Sequence, residues 1–595
     1  MKRYITLLLL LCGVSFTTFA QVAKQVEVTK DYAPEIGEAR KMDIAPNMVD
    51  TITLRPEIDY TITPRSFASA LGTHRFKPAT VTYWEYRRQY PFYLKLGAGY
   101  PLNTVGDLYA TTHRADVGYL TGYINHYGQY QKLRYKGATD EQIFKDNRSM
   151  QMKNKFGVMG GKYFGRYTLA GNAYYSMDIY HRYPLHNEYD ESGNPLLEYK
   201  RRKVSHDDLK VALSFGDSFA DYSHLNFKVY AAANFFNDKS ELFVKDDRYQ
   251  QINVVAGGAI AREVNKKVAL ALDIDYEGYY GLRSLKEYKN SIASAQLMCH
   301  YRSGRLVDLK VGARVLYDNN PADAVKQNRW HAFPYMNVSL NISEKGYAVP
   351  YVEVGGELQN NSYYSLAQRN PYVAILGDGF GMLQRGSVLP NTELYNVRFG
   401  ISGHTLNSKF AYRFYANMSF MKNALYWYNV NRLFFDAVAA KQNVWSLCAA
   451  VDYKPISQLL IMAEVKGSLY DNFAEMGDVQ IANTLPDVEA SLKIRYNHKK
   501  FTVGASADLR SKTRWTYVEY ESLYSEIPAT TPVAIGRFEA PLWVGLNLYA
   551  DYKVGKACTI FAEGNNLLGD AMPTYRWAFY REMGASFTVG VKVQF

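Results

Sequence analysis

The sequence predicts an all-β chain closed into a transmembrane antiparallel β-barrel of about 22 strands, with short periplasmic turns and long extracellular loops. Three observations predict it. The chain ends on a strict alternation: Phe587, Val589, Val591, Val593 and Phe595 share one face of an extended segment, and Thr588, Gly590, Lys592 and Gln594 share the other. From residue 91 onward, tight and long connections take turns, as in membrane-spanning hairpins. A secretory leader opens the chain, and no later run approaches the ~20 apolar residues of a spanning helix. A membrane form must therefore cross with strands.

The leader covers residues 1–20. Lys2 and Arg3 precede the apolar run Leu7–Leu11, and Thr18 and Ala20 offer the small side chains that signal peptidase needs. Residues 21–90 form a second segment, punctuated by Pro34, Pro46, Pro56, Pro64 and Pro78. Proline at this spacing prevents long strands or helices. The segment reads as a periplasmic or lumenal arm: it lies in the lumen, binds a periplasmic partner or acts as a tether.

Residues 91–595 are the barrel. Phe92, Leu94, Leu96, Ala98 and Tyr100 alternate with Tyr93, Lys95, Gly97 and Gly99 as its first strand. Ten tight connections follow, from Arg114–Asp116 to Val554–Lys556, rich in Gly, Asn, Ser and Lys. Eleven longer polar connections alternate with them, beginning at 101–105 and including 429–442, 519–539 and 566–583. The tallest spans 361–393 and carries Tyr363, Tyr364, Tyr372 and the Gly377–Gly381 stretch. Twenty-one connections join twenty-two strands, which places both barrel ends in the periplasm. The closing strand must then pair with the strand that begins at Phe92, because an open edge would leave backbone groups unpaired in lipid. Charged residues such as Asp308, Lys310 and Arg314 alternate with apolar ones and face a wet lumen.

Composition narrows the function. Aromatic residues make up 15% of the chain, with 52 Tyr. Tyrosine suits a membrane–water interface, with its apolar ring and wet tip. Tyr363, Tyr364, Tyr372, Trp515 and Tyr517 are the candidate extracellular ligand contacts, able to stack on a sugar or other flat ligand. The interfacial girdle common to such barrels is the favoured account of aromatic clusters at strand ends. The net charge of +12 becomes +10 once Lys2 and Arg3 leave with the leader, and the cations are scattered. That pattern points to lipid headgroups or an anion-attracting lumen, not to nucleic acid. Cys12 belongs to the leader, and Cys299, Cys448 and Cys558 lie far apart without a CxxC, so neither a zinc site nor a disulfide framework is indicated. No catalytic motif, metal site or cofactor site is legible. His181 with His186 reads as a solvated loop pair, and the turn Asp190–Asn194 has oxygen ligands suited to Ca²⁺ that a plain polar turn explains equally well.

Twenty-two strands is also the count of TonB-dependent outer-membrane receptors, and the end of this chain resembles theirs. It has Asn565-Asn566-Leu567-Leu568-Gly569 near the penultimate strand, then Tyr575, then Gly584–Phe595. Where that family usually has Pro-Gly-Arg before the closing strand, this chain has Met583-Gly584-Ala585. The family's globular plug needs well over a hundred residues, more than the arm supplies. Val26-Glu27-Val28-Thr29 is similar in flavour to the family's coupling segment. The chain thus looks like the plugless, receptor-like barrels of Gram-negative bacteria of the Bacteroides type. The resemblance implies an outer-membrane location and passage or uptake of a solute, as a transporter component or pore. It also implies outer-membrane lipid and the barrel-assembly machinery as partners, the latter reading the closing strand, with an unidentified small molecule or glycan as ligand. The alternative is a non-transporting surface scaffold, for adhesion or for docking a periplasmic or surface partner. Neither reading makes the chain an enzyme.

Overall fold

The computed structural model describes residues 90–595 apart from stretches within the connections, the longest at 133–147, 182–202, 374–388 and 520–532. The leader, residues 21–89, His186, Asp190–Asn194 and Gly377–Gly381 lie outside the described residues.

Twenty-two antiparallel strands close a ring. The first strand, Phe92–Tyr100, pairs with the last, Ser586–Gln594, from Tyr93 opposite Gln594 to Tyr100 opposite Phe587. Backbone bonds from Phe92 N to Phe595 O (3.0 Å) and from Phe595 N to Phe92 O (3.1 Å) extend the seam to the terminus. The two rings stack there at 5.2 Å.

The alternation in the sequence becomes two surfaces. Leu96, Val589, Leu447 and Leu492 point outward and stay exposed to the surroundings. This outer belt of aliphatic side chains suits a bilayer. The inner wall is polar, and its charges pair across strands: Lys95 with Glu563 at 2.9 Å, Lys592 with Asp551 at 2.8 Å and Arg398 with Glu353 at 3.0 Å. Val589→Lys would put a charge on the lipid face and should cost about 2–4 kcal/mol. Ser491 faces the lumen between Glu464 and Asp508. Ser491→Lys should leave stability within about 0.5 kcal/mol. Urea midpoints of the barrel in vesicles compare the two.

Two connections differ from the sequence reading. The one expected near 101–105 is only Pro101-Leu102, between strands ending at Tyr100 and beginning at Asn103. Asn103 is already part of the wall, buried, with its Nδ2 donating to Phe587 O at 3.2 Å. The loop expected at 429–442 is mostly strand. The strands Phe410–Val430 and Phe434–Ile456 run 21 and 23 residues, joined at 431–433. A spanning strand needs only ~9–11 residues, so their upper halves project past the bilayer. A bulge between Met421 and Ala424, with Asn423 at φ +57°, marks where they leave the wall. Above it both faces of the hairpin pack on protein, so the lipid-against-lumen alternation that marks a wall strand is lost.

Candidate functional site at the loop-end mouth

The projecting hairpin does not stand free. Above the wall, the strands Phe501–Arg510 and Trp543–Lys553 continue as Thr513–Glu519 and Ala534–Ala540. This second hairpin meets the first through a short parallel pairing, Tyr428–Val430 against Thr516–Val518. Asn431 N donates to Val518 O (2.9 Å) and Arg432 Nε to Glu519 Oε1 (2.7 Å). Two wall strands, Leu459–Tyr470 and Val488–Asn497, separate the two hairpins in the ring, so the result is a four-stranded lid sheet leaning over the mouth.

Both lid faces are covered. Tyr426, Tyr428, Val430, Phe434 and Val518 pack with Ala474, Val479 and Ile481 of the hairpin formed by Phe473–Met476 and Val479–Ala482. The opposite face carries Trp427, Phe435, Ala437, Trp515 and Ala540. Against it lie the helix Tyr363–Arg369, through Tyr363, Leu366 and Ala367, and the last loop, through Trp577, Ala578 and Tyr580. Phe236, at the loop end of Asn226–Asp238, closes the far side. Ring contacts run through this dome: Trp427–Trp577 at 6.3 Å, Trp515–Trp577 at 5.6 Å, Phe435–Trp515 at 5.7 Å and a near-parallel Tyr372–Tyr580 pair at 4.0 Å. Edge-to-face and offset pairs of this kind add to plain apolar burial.

The helix reaches over the mouth because polar contacts anchor it on wall strands well round the ring from its own. The Tyr363 hydroxyl donates to Asp238, and Tyr364 N donates to Gln251 Oε1 at 3.2 Å. The Tyr364 hydroxyl bonds Asp208; burial, and then that carboxylate, push its pKa well above the ordinary phenol value. It therefore stays a neutral donor at physiological pH. The Ser362 side chain caps the helix by accepting from Ser365 N.

The returning strand is fixed by buried Asn391. Its Oδ1 accepts from Asn290 Nδ2 (2.9 Å) and Asn320 Nδ2 (3.2 Å), and its Nδ2 donates to Asp318 Oδ1 (2.9 Å). Asn391→Ala would strand these buried partners at a cost of about 1–3 kcal/mol. Hydrogen exchange of the helix amides should then speed up about tenfold or more, with wall strands unaffected.

The structure brings the five sequence candidates together. Tyr363, Tyr364, Tyr372 and Trp515 share the dome, and Tyr517 joins through Phe579 at 5.3 Å. Tyr363 and Trp515 are buried, at 2% and 3% exposure, whereas Tyr364, Tyr372 and Tyr517 keep partly open faces. Sequence reasoning missed Phe236, Phe435, Trp577 and Tyr580. Their local signal is a bulky aromatic in or beside a polar loop, which says nothing of which loops meet. Cys299, Cys448 and Cys558 are free thiols, and among the described residues no group of His, Cys, Asp and Glu could hold a metal.

Solved structures share this architecture. A mutant of the ferric enterobactin receptor PfeA from Pseudomonas aeruginosa superimposes at TM-score 0.62 and 10% identity, over 85% of this chain and 80% of that one. The FrpB iron transporter from Neisseria meningitidis gives 0.60 and 11%, over 86% and 82%. P. aeruginosa FpvA bound to a pyoverdine–iron complex gives 0.58 and 11%, over 85% and 72%. The barrel has the fold of a TonB-dependent receptor. At these identities the likeness is one of fold. No family model matches the sequence, and no curated protein matches it.

Proposed function

We propose that this chain is an outer-membrane barrel that takes part in passage or uptake of a solute, with the aromatic dome as its extracellular gate. The observation that carries this reading is a wide, polar, charge-paired lumen whose loop-end mouth is covered by segments folded inward from several strands. A barrel of this width has room for a solute path, and loops folded across its mouth give that path a barrier. The receptor-like fold supports the same reading. The outer belt supports an outer-membrane location, and the neighbours named as transporter or receptor support a non-enzymatic role.

Tyr364, Tyr372 and Tyr517 remain the ligand-contact candidates, through their open faces. Tyr363 and Trp515 contribute by holding the dome. Residues 21–90 serve as a periplasmic or lumenal arm. Hydrogen exchange tests this: amides that exchange freely in the folded barrel would rule out the lumenal position.

The covered mouth also fits a silent scaffold. Planar-bilayer conductance of the purified full chain, with and without an intact dome, separates the two. A barrel that stays silent after the dome is broken supports the scaffold and sinks the gate.

A further inference from the structure

One row of lumen-facing side chains carries a tyrosine at five of its nine positions. Tyr93, Tyr109 and Tyr123 are direct cross-strand partners on the first three strands. The row continues through Gly157 to Tyr174 on the next two. It then passes through Lys210, Asn234 and Asn253 to Tyr279. Cross-strand partners lie perpendicular to the strands, and the strands tilt by about 35–45°. The row therefore climbs the wall as it goes round. Eight steps of about 4.8 Å give roughly 38 Å along the row and a rise of about 25 Å, the height of the apolar band. Its foot, Tyr93, is next to the first residue of the opening strand, at the turn end. Its head, Tyr279, is near the loop end of Val268–Arg283. Before that head, Asn234 of the row donates to Asp208, which holds Tyr364 on the underside of the dome.

The Tyr109 and Tyr123 rings lie flat in the lower half. A Cβ at Gly157 would sit 2.3 Å from the Tyr123 ring, so that ring rests on the bare backbone of the neighbouring strand. Tyr109 stacks beside it at 5.9 Å and 18°, and Tyr93 follows at 6.0 Å, its ring tilted by 52°. A ring flat on the wall presents its other face to the lumen. Hydrogen-bonding groups flank the rings: Asn125 Nδ2 donates to Asp107 Oδ1 (2.7 Å) and to the Tyr109 hydroxyl (2.8 Å). The Lys155 ammonium sits over the face of the Tyr174 ring, 3.9 Å from its centre, and caps that plate. Apolar plates bordered by amides, carboxylates and an ammonium match a molecule with apolar C–H faces and a rim of hydroxyls.

Resting on the solute-passage reading, we infer that this tyrosine row is a binding track for a neutral saccharide chain, leading between the periplasmic rim and the dome. Successive sugar rings stack on successive tyrosines, while the flanking Asn, Asp and Lys groups bond the hydroxyls. Each stacking contact is weak and repeated, so a chain is held without being trapped.

The test is equilibrium dialysis of tritiated maltohexaose and cellohexaose against the purified full chain in detergent. At least one should bind. Tyr109→Ala and Tyr123→Ala should each weaken binding about tenfold, and Tyr109→Phe should retain it. Gly157→Ala, which lifts the Tyr123 ring, should weaken it as well. Tyr175→Ala, on the lipid face beside Tyr174, should leave it unchanged. Heat-modifiable migration confirms that each variant is folded. The inference is overturned if neither saccharide binds, or if folded row variants bind like the parent. Failure here with a conducting, dome-gated barrel leaves solute passage standing. Row-dependent binding with no conductance after dome removal defeats passage and keeps the track.

Discussion

The doubly substituted chain Trp427→Ala, Trp577→Ala should conduct in planar bilayers where the parent is closed, with open probability raised at least tenfold. Trp427 is 1% exposed and Trp577 3%. They meet each other at 6.3 Å, and Trp577 also meets Phe435 and Trp515, each at 5.6 Å. Truncating a buried Trp costs about 3–5 kcal/mol. The loss falls on the dome and not on the wall, because the ring of strands is held by its own backbone ladders. Among the described residues, the only strand pairing that ties the two lid hairpins together spans Tyr428–Val430 and Thr516–Val518. Local units of this kind open without global unfolding. A loss of several kcal/mol therefore moves the dome from rarely open to mostly open. The converse variant, Asn429→Cys with Tyr517→Cys, pairs directly opposed positions. Oxidation should hold the lid shut, and reduction should restore the parent behaviour. Identical, silent traces from parent and doubly substituted chain would rule out a gate.

The second large effect is at the terminus. Removing Phe595 should lower the amount of folded barrel in the outer membrane several-fold. It deletes both backbone bonds to Phe92 and the 5.2 Å ring stack. Two hydrogen bonds at about 1 kcal/mol each and an aromatic pair at about 0.5–1.5 kcal/mol together weaken the seam by roughly 3 kcal/mol. That is over a hundredfold in the closing equilibrium, and an unclosed seam leaves two strand edges in lipid. Refolding into vesicles without cellular components reads the seam alone. Expression in cells reads the seam plus the recognition by assembly machinery that the closing strand is proposed to supply. A drop confined to cells would assign the effect to recognition. Unchanged levels in both would refute the seam argument.

Much of the wall was legible because a membrane imposes a rule on every residue. A strand between lipid and a wet lumen must alternate, and a one-residue slip would put Lys592 in lipid and Val591 in the lumen. All ten tight turns, and the pairing of Phe92–Tyr100 with the closing strand, followed from that rule. It stopped working at Asn423. Beyond the bulge, Trp427 and Tyr428 both face protein, on opposite sides of the lid. Their pattern no longer reports lipid and water, so the segment read as a loop.

The candidate site was half legible. Tyr363, Tyr364, Tyr372, Trp515 and Tyr517 stood out as bulky aromatics in polar connections, but nothing local said that they converge. Convergence depends on Tyr363 reaching Asp238 across the mouth, a separation of 125 residues. By itself the sequence determined the barrel, its strand count and which faces meet lipid, because those follow from a two-residue period against a fixed solvent boundary. The tertiary structure alone decided that loop-end segments from distant strands pack into one dome and that a tyrosine row climbs the lumen. Both depend on which strands become neighbours, and on the stagger between them, which no single strand encodes.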